Sequence, residues 1–526
     1  MDRDVTMSCE ASDPSPRPPL AWTGHALADV GLAGLLAFAN KKEPSDLTLA
    51  DLDAAAEFMI ENYYDGRLLP YLTCVFMNAS FVQANEGRQK RDAFKNQYLR
   101  AHRAGPHPDV AGRRCVFSGE PATSPMVRTH LPLFSGEGVL NFRPNGETTV
   151  PVAGAYVVAL MFLPMAARRA EGRLLAVHAD DPALTLRFAR LYLEDNRRLL
   201  WLALPTERAP VHPGYDRELA AWDSTKKRYK MADVKGPRSL VIADLAGVAM
   251  AALPSDLRPR PSALTAYLLS NSGQGPSLEI FGIPSGVVSF VQRARGAGTS
   301  EAWKAVAERF RPVNAPGGDE LEAAEGQRGK KGGKAAPNAV AGRPGWSRNP
   351  AFEDLCAIFD SGFTDQHAAA AWLRRYILGR IQRQKTVVYE ATRSRAWTLA
   401  DLFLQEVMGM DKGEIDAIRL FADKLAGWID SKNDRKLHHA LAFERPRELR
   451  GQLLRIQRES TNGPLLFGLE EFAGVWLHPE RDEYLVRDLV CLRVVEKLHE
   501  LGWYSENPDE ILEGQEAGAP AEEIAS

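Results

Sequence analysis

The chain has 526 residues, 45% of them hydrophobic and 25% charged, which excludes a wholly disordered chain, a collagen and a coiled-coil rod. Its 65 Lys and Arg meet 68 Asp and Glu, for a formal net charge of -3. Global charge therefore favours no polyanion, and any nucleic-acid surface must come from local clustering.

Residues 1–19 are acidic and rich in Pro and Ser and read as a disordered leader, without the apolar core of a signal peptide. Apolar spacing predicts a helix over 22–38, with Ala28, Leu32, Leu35 and Leu36 on one face. Thr48-Leu-Ala-Asp51 is an acidic capping box opening a second helix, which buries Leu52, Ala56, Met59 and Ile60. Residues 68–76 fit a helix or a strand equally. From Arg113 to Leu163, Gly and Pro punctuate short runs such as CVF, HLPLF and VLNF, the pattern of a β-containing or irregular region. The longest uncharged apolar run, 150–167, is broken by Pro151 and Pro164 and reads as buried core rather than a membrane span. Residues 174–204 read as helix, and 239–252 and 263–271 as apolar segments. Residues 278–291 read as two strands around a turn at Pro284-Ser-Gly286, and 301–310 as a short helix.

Residues 312–349 are rich in Gly, Pro, Ala and charge, with almost no large apolar side chain, and read as a linker. Beyond it, 352–359, 364–383, 398–408, 412–428, 434–443, 446–458, 465–476 and 483–501 are each amphipathic at helical spacing, with Thr364 and Thr398 as expected N-caps. The predicted class is α+β: a mixed N-terminal domain over 20–311, then an all-α helical bundle over 350–506 and a frayed acidic tail over 507–526.

Cys9, Cys74, Cys115, Cys356 and Cys491 are few, odd in number and far apart, which favours a reducing, cytoplasmic setting over a disulfide framework. No phosphate loop, nucleophile elbow or His-Glu-x-x-His motif occurs. Cys115-Val-Phe-Ser118-Gly119 has the turn chemistry of a zinc knuckle, but Ser118 stands where a second thiolate would, so it reads as a buried free cysteine before a Gly turn. The pair His438-His439 diverges on a helix and reads as solvated. The expectation is no catalytic residue, no metal and no cofactor.

Cationic clusters are the positive signal. Between Arg88 and Arg103 lie Arg88, Lys90, Arg91, Lys95, Arg100 and Arg103 against Asp92 alone, with Phe94 and Tyr98 interleaved, a pattern suited to stacking on unpaired bases. Before it, Asn78, Ser80, Gln83 and Asn85 offer amide and hydroxyl groups for base edges. Lys226, Lys227, Arg228 and Lys230 form a second cluster, expected in a loop. Arg374, Arg375, Arg380 and Arg383 line a helix, and Arg447 and Arg450 lie in a later one. Read alone, these residues leave three classes open: a nucleic-acid-binding protein, a metal-dependent nuclease with acids still to be paired, and a regulatory scaffold that meets acidic proteins.

Five segments occur in an order that resembles one CRISPR-associated family. They are Trp22-Thr-Gly-His-Ala-Leu-Ala-Asp29-Val-Gly31, the Thr48-capped helix, Phe76-Met-Asn78-Ala-Ser80-Phe81, Cys115-Val-Phe-Ser118-Gly119, and His130-Leu-Pro-Leu133 leading to Asn141-Phe142-Arg143-Pro144. Together they look like the large subunit of the type I effector complex, Cascade, in the Cst/DevT-like branch of the Cas eight family (subtypes I-A and I-B). The likeness covers most of residues 20–310. Some relatives carry paired cysteines near Cys115; this chain has Cys115 alone.

The resemblance implies a non-enzymatic subunit near the 5′ handle of a crRNA. Such a subunit inspects the protospacer-adjacent motif (PAM) of target double-stranded DNA and supports the R-loop. Its implied partners are the crRNA, the target duplex, the backbone and handle-binding subunits of the complex, and a recruited helicase–nuclease, with no membrane. On this reading Asn78–Arg91 faces PAM-proximal DNA. Lys226–Lys230 meets the RNA handle or DNA backbone, and the Arg374–Lys385 and Arg445–Arg458 helices hold R-loop backbone.

Overall fold

The computed structural model describes residues 18–65, 67–76, 79–83, 86–127, 130–131, 149–202, 220–223, 228–231, 236–249, 262–271, 276–296, 298–309, 348–378, 397–443, 445–459, 465–476 and 482–507. Most of the leader, of the expected linker and of the acidic tail lies outside these residues; Asn507, expected to fray, is buried and its Nδ2 donates to Trp503 O at 3.0 Å. The fold is α+β. The described residues form two compact units. One takes the chain to Pro237 together with Leu264–Phe281; the other takes Arg238–Ala263, the residues from Gly282 to 309, and the chain from 348 onward.

In the first unit, helix α1 (Ala26–Ala39) starts later than its apolar pattern. The residues before it form a loop closed by Asp29, whose carboxylate accepts from Thr23 N at 2.8 Å, Thr23 Oγ1 at 2.7 Å and Gly24 N at 2.8 Å. Helix α2 (Leu49–Tyr63) opens with the expected capping box: Asp51 N donates to Thr48 Oγ1 at 3.2 Å, and Thr48 N to Asp51 Oδ2 at 2.8 Å. Leu52, Ala56 and Met59 are buried, while Ile60 is half-buried. Residues 69–75 form a helix, α3 (Leu69–Val75), and α4 (Arg88–Phe94) continues into a π-helical turn, Lys95–Leu99.

The 113–163 region is less β-rich than its punctuation suggested. Strand β1 (Ser124–Met126) pairs antiparallel with β2 (Val150–Val152), and then α5 (Gly154–Phe162) forms a fully buried helix. Helix α1 crosses α5 closely: a Cβ on Gly31 would sit 2.1 Å from Ala159 O. Tyr63 from α2 donates to Met161 O at 2.9 Å.

Residues 174–179, expected to be helical, are instead strand β4 (Arg173–Ala179), beside β3 (Arg168–Ala170). Helix α6 (Pro182–Leu202) starts after it. Burial on both faces overrode the helical reading: Leu174 to Val177 are all buried, so period-two alternation is lost. Strand β4 pairs antiparallel with β7 (Leu264–Ser270), and β8 (Ser277–Ile283) completes the order β3-β4-β7-β8. A separate antiparallel pair joins β5 (Ala220–Asp223) to β6 (Arg228–Met231). Under β3, buried Arg168 pairs with Asp195 of α6, and Asn196 Nδ2 donates to Ala167 O at 2.9 Å.

The second unit is helical, and its membership corrects the expected 20–311 boundary. It includes α7 (Pro237–Ala249) from Arg238 onward, α8 (Ser285–Ala294) and α9 (Ser300–Arg309). The two-strand reading of 278–291 fails in its second half, because α8 begins at Ser285. The reason is packing. Phe290 of α8 meets Trp303 of α9, with centroids 5.6 Å apart, and Phe403 at 5.3 Å. Trp303 stacks on Phe352 at 5.6 Å, and Phe403 on Trp372 at 4.7 Å. These rings form one core, so the segment before 310 folds with the chain after 348.

The remaining helices are α10 (Pro350–Ala357), α11 (Gln366–Leu373) with a π-helical turn over Arg374–Leu378, α12 over 397–406, α13 (Lys412–Lys432), α14 (Arg435–Phe443), α15 (Pro446–Glu459), α16 (Leu469–Trp476), α17 (Glu483–Leu501) and α18 (Trp503–Glu506). The cap of α11 is Asp365, which accepts from Ala368 N at 3.0 Å, rather than Thr364. Thr398 lies inside the first turn of α12 rather than before it. His438 is buried, with Nε2 2.8 Å from the Tyr504 hydroxyl, so the expected solvated histidine pair is correct only for exposed His439. No helix among the described residues is long and apolar enough to cross a membrane.

Candidate nucleic-acid interface

The 88–103 segment looks uniformly cationic in sequence, but tertiary packing supplies its missing acids. Arg100 reaches Glu57 of α2 at 2.6 Å, and Arg103 reaches Asp53 at 2.5 Å. His102 Nε2 lies 2.8 Å from the same Asp53. The Arg103 hydrogen bond holds the Asp53 carboxyl down at about 2, against desolvation by burial and with help from His102. Asp92 lies 3.3 Å from Lys95 and 3.7 Å from Arg88.

The interleaved aromatics do not face solvent. Phe94 and Tyr98 are 9% and 8% exposed. Tyr98 stacks on buried His130 with centroids 3.8 Å apart, and Phe94 meets Phe81 edge-on at 5.4 Å. The expected base-stacking role of these two rings is therefore corrected: they are core. Their spacing fits the helix period as well as it fits interleaving.

The aromatic that does sit among the cations is Tyr64, at the end of α2, which the charge pattern did not single out. Lys95 Nζ lies 4.9 Å from its ring centre and the Arg91 guanidinium 5.9 Å. Its hydroxyl is 2.7 Å from Ser80 Oγ. Burial pushes the Tyr64 hydroxyl pKa up, with the Ser80 bond and Arg91 opposing. Ser80 is thereby corrected as a base-edge reader: it is 3% exposed and turned to Tyr64. Gln83 is exposed, and its carbonyl accepts from Arg91 at 3.4 Å. Arg88, 96% exposed, and exposed Lys90 project from the same short helix. Asn78 and Asn85 lie outside the described residues.

The second cluster divides. Lys226 and Lys227 lie outside the described residues. Arg228 and Lys230 are on strand β6 rather than in a loop, in register with Asp223 and Ala221.

In the helical unit the candidate cations are held by acids. Arg374 Nε is 2.5 Å from Asp488 Oδ2, and Arg487 is 2.5 Å from Oδ1 of the same carboxylate. Both guanidiniums lie over the Tyr484 ring, at 5.3 and 5.5 Å. Arg375 pairs with Asp354 at 3.2 Å, and Arg450 with Glu483 at 2.6 Å. Arg380 and Arg383 lie outside the described residues; Arg447 is on α15, its side chain outside them. The expected run of free cations along one helix is therefore replaced, where it is described, by paired arginines.

At the sequence-flagged turn, buried Cys115 receives Phe117 N at 3.4 Å on its sulfur, and Gly119, at φ +73°, closes the turn onto Cys115 O at 2.9 Å. Among the described residues no group of three or more His, Cys, Asp or Glu is placed to hold a metal ion. Compared with known proteins, the chain matches no family model, no curated protein and no solved structure.

Proposed function

We propose that this chain is a non-catalytic, nucleic-acid-binding subunit of a type I CRISPR effector complex, reading the PAM of target double-stranded DNA and supporting the R-loop beside the crRNA. The ordered segments from Trp22 to Pro144 support the family reading. The observation that carries nucleic-acid binding is the Tyr64 cluster: Arg91 and Lys95 over one half-buried ring, exposed Arg88 and Lys90 on the same short helix as Arg91, and exposed Gln83, whose backbone carbonyl accepts from Arg91. Cations flanking an aromatic can hold phosphates while the aromatic edge and an amide meet a base.

Purification from cells that carry a CRISPR array tests this. Recovery with a crRNA of uniform length and with backbone and handle-binding subunits supports the proposal; recovery without RNA overturns it. Matched targets with and without a PAM then test reading: Gln83→Ala should narrow the preference while Lys90→Ala weakens both targets. Cleavage of labelled DNA by the purified chain with Mg²⁺ or Mn²⁺, lost on changing one acid, would overturn the non-catalytic assignment.

A further inference from the structure

Helix α6 carries cations that no charge run announces, because they are spread through an apolar helix. Arg187, Arg190, Glu194 and Arg197 recur every three or four residues and so share a face. Arg187 to Arg197 spans about 15 Å at about 1.5 Å per residue. None of these arginines has an ion pair among the described residues. Arg190 Nη2 donates to Lys41 O at 2.9 Å, just past the end of α1, while its Nε is buried without a partner. Lys42 beside it is exposed. The Arg197 guanidinium lies 4.7 Å from the Phe38 ring centre and 5.8 Å from that of Phe58.

Near its far end α6 is tied through Arg67 to the end of α2. Arg67 Nη1 donates to Leu200 O at 2.8 Å, and Arg67 pairs with Asp65, the residue after Tyr64. A strip therefore runs from Lys41, Lys42, Arg187 and Arg190, through Arg197 and Arg67, to Lys95 and Arg91. The acids along it include Glu194 on the same helix face, Asp65, paired with Arg67, and Asp92, paired with Lys95, while Glu86 also acts on Tyr64. Half-buried aromatic rings (Phe38, Phe58, Tyr64) recur beside the cations.

We infer that this strip is a track for the phosphodiester backbone of one nucleic-acid strand, leading into the Tyr64 cluster. The inference rests on the nucleic-acid reading above and extends it to a surface that reading did not use. Cations spaced along a helix, with cation-covered aromatics between them, fit a single strand better than a compact anion, since successive phosphates can be met in turn.

The test uses the full chain and labelled 20-nucleotide DNA and RNA single strands, titrated at several salt concentrations. Arg187→Ala with Lys42→Ala removes two charges that have no ion pair among the described residues. Log affinity falls with log salt, and each lost phosphate contact should lower the magnitude of that slope by about 0.7. The pair should therefore weaken binding at low salt and lower the slope by about 1.4, with thermal unfolding unchanged. Adding Arg197→Ala should lower it by a further 0.7 or so. The strand held more tightly, DNA or RNA, names the occupant. If neither strand binds the unaltered chain, the nucleic-acid reading falls and the track with it. If strands bind, Lys95→Ala weakens them and the α6 variants keep the full affinity and slope, the track is overturned and the reading stands. Equal binding of polyglutamate would also overturn it, marking a surface for acidic protein.

Discussion

The rings of Tyr98 and His130 stack with centroids 3.8 Å apart and planes 27° from parallel. That contact turns an apparent surface aromatic into a core anchor and seats an ionisable ring where water is excluded. Burial pulls the His130 imidazole down to about 3, and burial pulls His438 down to about 4 in the other unit. Both are therefore neutral when folded, whereas the unfolded chain binds their protons near 6.5. The stability these two rings contribute is complete above pH 6.5 and is lost as pH falls toward 3 to 4, offset in part by Glu496, whose carboxyl burial raises to about 7. Urea midpoints should be flat between pH 7 and 8 and fall below 6.5. His130→Phe keeps the stack and should flatten the acid limb, as measured by unfolding at half-unit pH steps.

Close backbone approach sets a sharp contrast between two glycines. Gly31→Ala would place a methyl carbon 2.1 Å from Ala159 O, with no flexible side chain to yield. It should cost about 1–3 kcal/mol or more, or abolish folding of the first unit. Gly427 lies exposed in α13, and no atom stands within 4 Å of where a Cβ would be. Gly427→Ala should stabilise by about 0.4–1 kcal/mol. Thermal unfolding of the two variants in parallel checks both signs.

The capping box at α2 predicts coupled effects. Thr48→Ala removes the acceptor for Asp51 N and the donor to its carboxylate, and should cost about 0.5–2 kcal/mol. Asp51→Ala should add less to Thr48→Ala than it costs alone, because the two side chains satisfy each other. A double-mutant cycle by urea unfolding measures the difference.

Neutralisation within the 88–103 segment is itself testable. Glu57→Gln and Asp53→Asn would release Arg100 and Arg103 from their ion pairs. Oligonucleotide affinity should then rise, with a steeper salt dependence. Unchanged affinity would place these arginines away from the bound strand.

In the helical unit Asp488 is shared by Arg374 and nearly buried Arg487. Asp488→Ala should destabilise by about 3–5 kcal/mol, because it strands a poorly solvated guanidinium. Arg374→Ala should cost far less, since Asp488 keeps Arg487 as a partner. Denaturant unfolding of both variants, read beside binding, separates lost stability from lost contacts.

Local features were legible in the residues alone. The Thr48–Asp51 box with the helix it opens, the helical periods read over 22–38, 412–428 and 483–501 (helix in the structure over 26–39, 412–432 and 483–501), and the Cys115 turn before Gly119 rest on neighbours within a few residues, where propensity, capping and turn chemistry act. The α+β class followed from the same signals. Elsewhere, partners distant in sequence supply the deciding contacts. Leu174–Ala179 became a strand when β7 paired with it, and 285–309 joined the helical unit when Phe290 and Trp303 met Phe352 and Phe403. The candidate site changed most. Linear charge counting cannot see that Asp53 and Glu57 face Arg103 and Arg100 across some fifty residues, nor that Tyr64, rather than Phe94 or Tyr98, lies beneath Lys95. Charges are screened and paired in three dimensions, so a cationic surface is a property of the fold, whereas a helix cap is a property of the chain.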